Sequence, residues 1–460
     1  MKLPLARIAE FTHAVGEFDR NAQATGYSID SRSLQPGDLF FAVKGERLDG
    51  HDFVEPALAS GAVGAIVGQD HAARYAIKTG LLVVEDTLAG LQSLGAAVRR
   101  MWGKTVIGLT GSTGKTTTKE AIAHILSTRY RVLKTEGNLN NHFGLPLTLL
   151  KLEPAHDVAV IEMGMNHAGE ITALARMAAH DIGVVTNVAP AHLEFFDSVA
   201  AIARSKYELI ESLHAGGTAI LNCDDEYVSQ FGRDFHGKVV TYGFGPSADV
   251  RGENLEARGI EGSWFDIVTG GVRERASLPL VGKHNVYNAL AAVATALERG
   301  VTPSEAAAAL ATLKPADKRG QLLDIAGVTV INDCYNANPK AMMALVDVLA
   351  SMPAQRRIAV AGEMLELGAT SPDLHRGVGV YLADKRIDRV LGVRGLAREI
   401  VHAAKEGGVE AEFVETPEQA GEWLARQARP GDVVLLKASR GVKLERALET
   451  WKARASGASK

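Results

Sequence analysis

Residues 105–117 constrain this chain more than any other stretch. The apolar run Thr-Val-Ile-Gly-Leu-Thr at 105–110 stops at Gly111-Ser112-Thr113-Gly114-Lys115-Thr116-Thr117, and a helical pattern opens after Lys115. In a strand–glycine turn–helix of this kind, backbone N–H groups can turn toward an anion, and the helix N-terminus adds partial positive charge. Lys115 can reach terminal phosphates, and Thr116 can offer its hydroxyl to Mg²⁺. The common pattern G-x-x-x-x-G-K-[ST] needs glycine at 109, where this chain has Leu109. The plainer reading is a glycine-rich turn with a surface lysine.

The surroundings predict the fold class. Apolar runs over 158–163, 182–188 and 218–222 read as strands, and 171–179 and 200–212 carry helical periodicity. Strands alternating with helices predict a parallel sheet covered on both faces. The stretch 239–281 breaks the rhythm with short strand-like pieces and predicts an antiparallel extension. An Ala-rich helix is expected over 284–298. Upstream, strands are expected over 39–43, 62–68 and 81–85, with helices over 53–60 and 88–99. The polar, proline-containing segment 313–320 reads as a linker. Beyond it, strands over 329–332, 357–361, 389–393 and 432–437 predict a second doubly wound sheet. A length of 460 residues suits several domains. The expectation is an α/β protein of three domains. These are a small N-terminal α/β domain at 1–102, a central P-loop-type doubly wound parallel sheet at 103–313, and a C-terminal Rossmann-like doubly wound sheet at 314–460.

Charge narrows the partners. Fifty basic against 54 acidic residues leave a net charge of −4, so nothing points to nucleic acid or a membrane surface. An anionic ligand must be held by local groups. Cys223 and Cys334 make neither a disulfide framework nor a zinc cluster and fit a reducing compartment. No stretch approaches the ~20 apolar residues of a membrane span, and the first ten residues lack a signal peptide's apolar run. The expectation is a cytoplasmic protein without membrane insertion.

Three further residues stand out. Glu162 ends a predicted strand, where ligands gather in open α/β sheets and a carboxylate can hold Mg²⁺; a capping or salt-bridged role fits it equally well. His192 follows another strand end, in Pro190-Ala191-His192-Leu193-Glu194, and a lone histidine is more often structural. Lys206 falls in a helical run, where a lysine paired with Glu208 or Glu211 on a solvated face is the plainer reading.

Together these motifs resemble the Mur ligase family, whose shorter loop G-x-x-G-K-[ST] accommodates Leu109. The resemblance extends through Asn138-Leu139-Asn140-Asn141, Glu162-Met163-Gly164, the His192 segment, Lys206, Gly282-Lys283-His284-Asn285 and Asn288. It continues in Asp333-Cys334-Tyr335-Asn336-Ala337-Asn338-Pro339, in Gly362-Glu363-Met364-Leu365-Glu366-Leu367-Gly368 and in Lys437-Ala438-Ser439-Arg440. The N-terminal Asp30-Ser31-Arg32 and Gly50-His51-Asp52-Phe53 fit as well. Asn332, Cys334 and Ala438 depart from the usual Asp, Ser and Gly, which touches only fine substrate contacts.

The resemblance implies an ADP-forming amide ligase that works through an acyl phosphate. The segment 335–339, with no Asp-Asn-Pro-Arg tetrapeptide in the C-terminal part, points within the family to joining D-alanyl-D-alanine to a UDP-N-acetylmuramoyl-tripeptide. It implies ATP on Gly111, Ser112, Thr113, Gly114, Lys115, Thr116 and Thr117, with Asn285 at adenine and Arg319 and Asp333 reaching the nucleotide on closure. Two Mg²⁺ ions are implied on Thr116, Glu162, His192 and a CO₂-derived carbamate of Lys206. Asp30, Ser31 and Arg32 would face the UDP end, and Asn138, Asn140, Tyr335, Asn336 and Asn338 the remaining substrate. A monomer is expected, with hinges near Pro303 and Pro315. Two other readings stay open at this point. One is a related ligase of the folylpolyglutamate-synthase or cyanophycin-synthetase kind, and the other is a regulatory P-loop module.

Overall fold

The apolar run before the phosphate loop forms the strand Thr105–Thr110, buried along nearly its whole length. In the computed structural model, which describes residues 1–457, this strand lies inside a nine-stranded sheet. Its neighbours are Val158–Glu162 on one side and Ile182–Val185 on the other, both parallel to it, with Leu109 opposite Glu162 and Thr110 opposite Val185. The chain thus leaves the central strand in both directions. The crevice at the carboxyl ends where strand order reverses is the usual ligand position in such sheets. All five residues of Val158–Glu162 are buried, as expected for a strand covered on both faces.

The sheet continues through Thr218–Asn222 and Lys238–Gly243, both parallel, to an antiparallel meander of Val250–Ala257, Ser263–Thr269 and Val272–Leu278. The expected antiparallel extension therefore starts one strand later than the sequence suggested. Val239 and Val240 still pair in parallel with Ala219 and Ile220. The short edge strand Val132–Lys134 carries no pattern strong enough to be anticipated.

The N-terminal sheet has four parallel strands in the order Gly26–Ser28, Asp38–Phe41, Gly64–Gly68 and Leu81–Val84. The helix that follows, Thr87–Trp102, is capped by the Asp86 carboxylate, which accepts from Leu88 N (2.7 Å) and Ala89 N (2.9 Å). It stops at Gly103 in the left-handed conformation. Its buried stripe, Leu91, Leu94, Val98 and Trp102, shares one core with Leu145, Leu149 and Leu174 of the central region. Arg99 donates from that helix to the carbonyls of Ala178 (2.7 Å) and Ala179 (2.8 Å). His51 is structural. Its Nε2 accepts from Gly68 N at 2.9 Å, which leaves Nδ1 to donate to Asp49 at 2.7 Å.

The third sheet runs Gln321–Ile325, Val328–Asp333, Val433–Lys437, Arg357–Gly362, Arg389–Val393 and Glu410–Val414. All pairings are parallel except that of the edge strand Gln321–Ile325. This edge and Glu410–Val414 are additions to the sequence reading; both are half-exposed and lack a continuous apolar run. Two separate apolar clusters cover the faces of this sheet.

Candidate active site

The phosphate loop is built by close approach. Gly111 has φ +151°, and a Cβ there would lie 1.8 Å from Thr186 Oγ1. Gly114 has φ +80°, and a Cβ would lie 2.3 Å from Asn288 Oδ1. Only glycine fits these two positions. Asn187, at the end of the neighbouring strand, grips the loop: its Oδ1 accepts from Thr113 N (3.1 Å) and Thr113 Oγ1 (3.0 Å), and its Nδ2 donates to Thr113 O (3.1 Å). Ser112 N donates to Asn187 O at 2.9 Å, and Ser112 Oγ accepts from Ala189 N at 2.9 Å. Lys115 donates to Gly111 O at 2.8 Å, which curls its ammonium over the loop.

Glu162, 2 % exposed, sits beside this loop. Its Oε2 accepts from Thr116 Oγ1 at 3.1 Å and its Oε1 from Asn140 Nδ2 at 2.9 Å. The ammonium of Lys119, itself 1 % exposed, lies 3.7 Å from Oε2. The carboxylate is therefore positioned by three side chains and keeps lone pairs for a cation.

Lys206 occupies the buried stripe of the helix Val199–Glu211, alongside Ile202, Leu209 and Ile210. It is 2 % exposed and makes no ion pair among the described residues. Its expected partners are engaged elsewhere. Glu208 accepts from Gly169 N (2.7 Å), Thr172 N (2.9 Å) and Thr172 Oγ1 (3.0 Å), and Glu211 pairs with Arg204 at 2.7 Å. The solvated salt-bridge reading is thereby overturned. Burial, and then the nearby Lys115 charge, push the Lys206 amine well below the ordinary lysine range. Lys115 is lowered too, chiefly by burial against the pull of Glu162.

These groups line one cleft of about 1370 Å³ with residues from all three sheets' loops. Ser112, Thr113, Gly114, Lys115, Thr116 and Thr117 form one wall with Asn140, Glu162, His192 and Lys206. Asn285 and Asn288 come from the Ala-rich helix Lys283–Leu297. Arg319, Asp333, Tyr335, Asn336 and Asn338 line the same cleft from the C-terminal part of the chain. Arg319 stacks over the Tyr335 ring, 4.0 Å from its centroid. Lys437 pairs with Asp333 and donates to Asn336 O at 2.8 Å. Asn338 also caps the helix Pro339–Ser351, accepting from Ala341 N at 2.9 Å. The volume exceeds that of a pocket for one drug-sized ligand, ~300–1,000 Å³.

Asp30, Ser31, Arg32 and Asn138 are not in the cleft lining. Asp30 turns its loop back on itself, taking Arg32 Nε at 2.9 Å and Arg32 Nη2 at 2.7 Å, in an exposed position. Asn138 lies exposed in a turn whose carbonyl accepts from Asn140 N at 2.8 Å. The sequence reading missed the loop 44–48, Asn187, Asp225 and Lys340, all of which face the cleft. Asn187 was detectable as a side-chain amide at a strand end beside the phosphate loop. Loop 44–48 carried no local signal.

Sequence models of the Mur ligase family match this chain in three parts. The catalytic-domain model matches residues 23–98, the middle-domain model 109–296 and the glutamate-ligase-domain model 318–440. The UDP-N-acetylmuramoyl-tripeptide–D-alanyl-D-alanine ligase of Bacillus subtilis is 37% identical over 424 residues, 91% of each chain. That of Escherichia coli is 40% identical over 384 residues, 83% of each chain. A MurF crystal structure from Acinetobacter baumannii superposes with a TM-score of 0.90 at 31% identity, covering 98% of this chain and 99% of that one. MurF from Thermotoga maritima in complex with ADP gives 0.83 at 29% identity, covering 95% and 99%.

Proposed function

This chain belongs to the Mur ligase family, and from that premise we propose that it joins D-alanyl-D-alanine to UDP-N-acetylmuramoyl-tripeptide, converting ATP to ADP and phosphate. The observation that carries this reading is the single cleft in which the phosphate loop, Glu162 and Lys206 face Arg319, Tyr335, Asn336 and Asn338. An ATP-driven ligase needs nucleotide, acid and amine in one cavity, and this cleft of about 1370 Å³ is larger than one drug-sized ligand requires. The similarity to a UDP-N-acetylmuramoyl-tripeptide–D-alanyl-D-alanine ligase over nine-tenths of the chain supports the choice of amine.

The chemistry follows from the substrates. A carboxylate has no leaving group. Its oxygen attacks the γ-phosphorus, ADP departs, and the resulting acyl phosphate is attacked by the dipeptide amine. The tetrahedral intermediate collapses with loss of phosphate and a proton. Little covalent work falls to the protein, so positioning and charge neutralisation dominate. Loop N–H groups and Lys115 would hold the phosphates, and Asn285, which lines the same cleft, is assigned to adenine on the family resemblance. The C-terminal wall closes on the nucleotide with Arg319 and Asp333, excluding water from the acyl phosphate.

The donor set fits Mg²⁺: a buried carboxylate already oriented by Thr116 and Asn140, an imidazole, and an amine that burial pushes toward the neutral form from which a carbamate can be made. Thr116, Glu162, His192 and a carbamate on Lys206 would hold two ions, which when bound neutralise charge on the transferring phosphate. A neutral Lys206 amine adds to CO₂ and releases one proton, giving an anionic oxygen ligand. Asp30, Ser31 and Arg32, which lie outside the cleft lining, are assigned to the UDP end on the family resemblance alone, and Asn138 and Asn140 to the remaining substrate. A nucleotide-linked substrate and ATP place the reaction in the cytoplasm, as a step of peptidoglycan precursor synthesis. No helix among the described residues is long and apolar enough to cross a membrane.

An omission assay tests the assignment. With Mg²⁺, ATP, the UDP-tripeptide and D-alanyl-D-alanine present, phosphate release should require both the tripeptide and the dipeptide. Release that persists without either substrate would refute it.

A further inference from the structure

Among the described residues, His192 is the one proposed metal ligand with a close polar contact to the C-terminal part of the chain. Its Nδ1 lies 2.7 Å from Oε2 of Glu366, in the loop after the strand Arg357–Gly362. The approach is too bent for a hydrogen bond, so this is a close polar contact. Two backbone contacts accompany it. Glu194 N donates to Glu366 O at 3.2 Å, and Gly368 packs so near Leu193 that a Cβ would lie 3.0 Å from its carbonyl oxygen.

Both partners adopt the left-handed backbone conformation that side-chain-bearing residues avoid, with φ +58° at His192 and +64° at Glu366. Such conformations persist where surrounding structure over-determines them. Glu366 is held from behind. Leu365 N donates to Ser439 Oγ at 2.9 Å, and Met364 N donates to the buried His375 Nε2 at 2.9 Å. Met364 and Leu367 on either side are buried in the C-terminal core. The loop therefore presents the carboxylate rigidly across the boundary between the two sheets.

A histidine that binds metal through one ring nitrogen commonly gives its other N–H to a carboxylate, which fixes tautomer and ring orientation. We infer that Glu366 is a positioning residue for His192. It takes the Nδ1 side of the ring, turns Nε2 toward the cleft, and so makes the central sheet's metal site depend on docking of the C-terminal sheet. The inference rests on the reading of His192 as a metal ligand.

Mn²⁺ affinity in the presence of ADP, measured on the full-length protein by electron paramagnetic resonance, separates the two claims without turnover. Glu366→Ala should weaken Mn²⁺ binding by about 10–100-fold, while ADP affinity without metal stays within about twofold. Glu366→Gln, which keeps the side chain's length and a polar oxygen beside Nδ1, should recover part of the loss and covers the case in which the alanine variant misfolds. His192→Ala should weaken Mn²⁺ at least as much, and adding Glu366→Ala to it should cost nothing more. Unchanged Mn²⁺ affinity in His192→Ala would remove the ligand reading itself. A weakened His192→Ala beside an unaffected Glu366→Ala, or additive losses in the double variant, would overturn the role of Glu366 alone.

Discussion

Thr116 and Glu162, separated by 46 positions, meet at 3.1 Å where the phosphate loop passes the end of the adjacent strand. The hydroxyl that opens the loop's helix thus donates to the carboxylate that closes the neighbouring strand. Parallel pairing of Thr105–Thr110 with Val158–Glu162, with Leu109 opposite Glu162, makes this meeting a consequence of sheet register.

Glu162→Gln keeps the shape and hydrogen-bonding length of the side chain but removes its charge. The Mg²⁺ concentration needed for half-maximal turnover should rise by about 10–100-fold, with partial recovery at high Mg²⁺. Circular dichroism should match the parent. An unfolded variant, or an unchanged Mg²⁺ requirement, would show that the carboxylate is structural.

Burial of the Lys206 amine should cost the fold stability. It lowers the amine well below the ordinary lysine value of 10.5 in the folded state, so the unfolded chain binds a proton there more readily than the folded chain does. Between the lowered value and 10.5, folding stability from this site rises with pH. In CO₂-free buffer, Lys206→Met should be more stable than the parent at pH 7 by about 1–3 kcal/mol, and the gap should narrow toward pH 10. The same variant should be inactive. The parent in ¹³C-bicarbonate should show a carbamate resonance that Lys206→Met lacks. Denaturant melts with a constant gap, or a resonance surviving in the variant, would contradict the account.

His180 gives a second pH dependence. It is 1 % exposed, its Nε2 lies 2.9 Å from Leu209 O, and its Nδ1 has no partner among the described residues. Burial lowers it from 6.5 to about 4. Between those values the unfolded chain binds a proton that the folded chain refuses, so stability falls as pH drops through that window. The full difference corresponds to about 3 kcal/mol. His180→Gln, which can still donate to Leu209 O, should lack this component in melts from pH 7 to 4. An identical pH slope in both proteins would show that another group is responsible.

The two apolar clusters of the third sheet draw almost entirely on residues beyond 320, with Val281 the exception. A chain ending at Lys314 should therefore stay soluble and melt cooperatively, yet form no product. The N-terminal sheet should behave differently. Its helix Thr87–Trp102 shares a core with Leu145 and Leu149, so it should not separate cleanly from the central region. Aggregation of the chain ending at Lys314 would argue that the C-terminal sheet completes a common core.

Sequence patterns reached the parallel strands because strands buried on both faces read as unbroken apolar runs, as in Thr105–Thr110 and Thr218–Asn222. They failed at Val132–Lys134, Gln321–Ile325 and Glu410–Val414, which are edge strands with partly exposed faces. At the site, Lys115, Thr116 and Glu162 followed from local motif and strand position. Lys206 followed only from resemblance, although its helix held the clue: Ile202, Leu209 and Ile210 place it on an apolar stripe where a solvated lysine does not belong. The Glu366–His192 contact joins residues 174 positions apart across two sheets, and no periodicity reports such a meeting.

The most direct test follows one oxygen atom. UDP-N-acetylmuramoyl-tripeptide labelled with ¹⁸O in its terminal carboxylate is given ATP, Mg²⁺ and D-alanyl-D-alanine, and the pentapeptide product and released phosphate are analysed by mass spectrometry. An acyl phosphate must leave one carboxylate oxygen on phosphorus when the amine displaces it. The account predicts UDP-N-acetylmuramoyl-pentapeptide together with phosphate carrying one ¹⁸O. Unlabelled phosphate, or labelled phosphate without the pentapeptide, would contradict it.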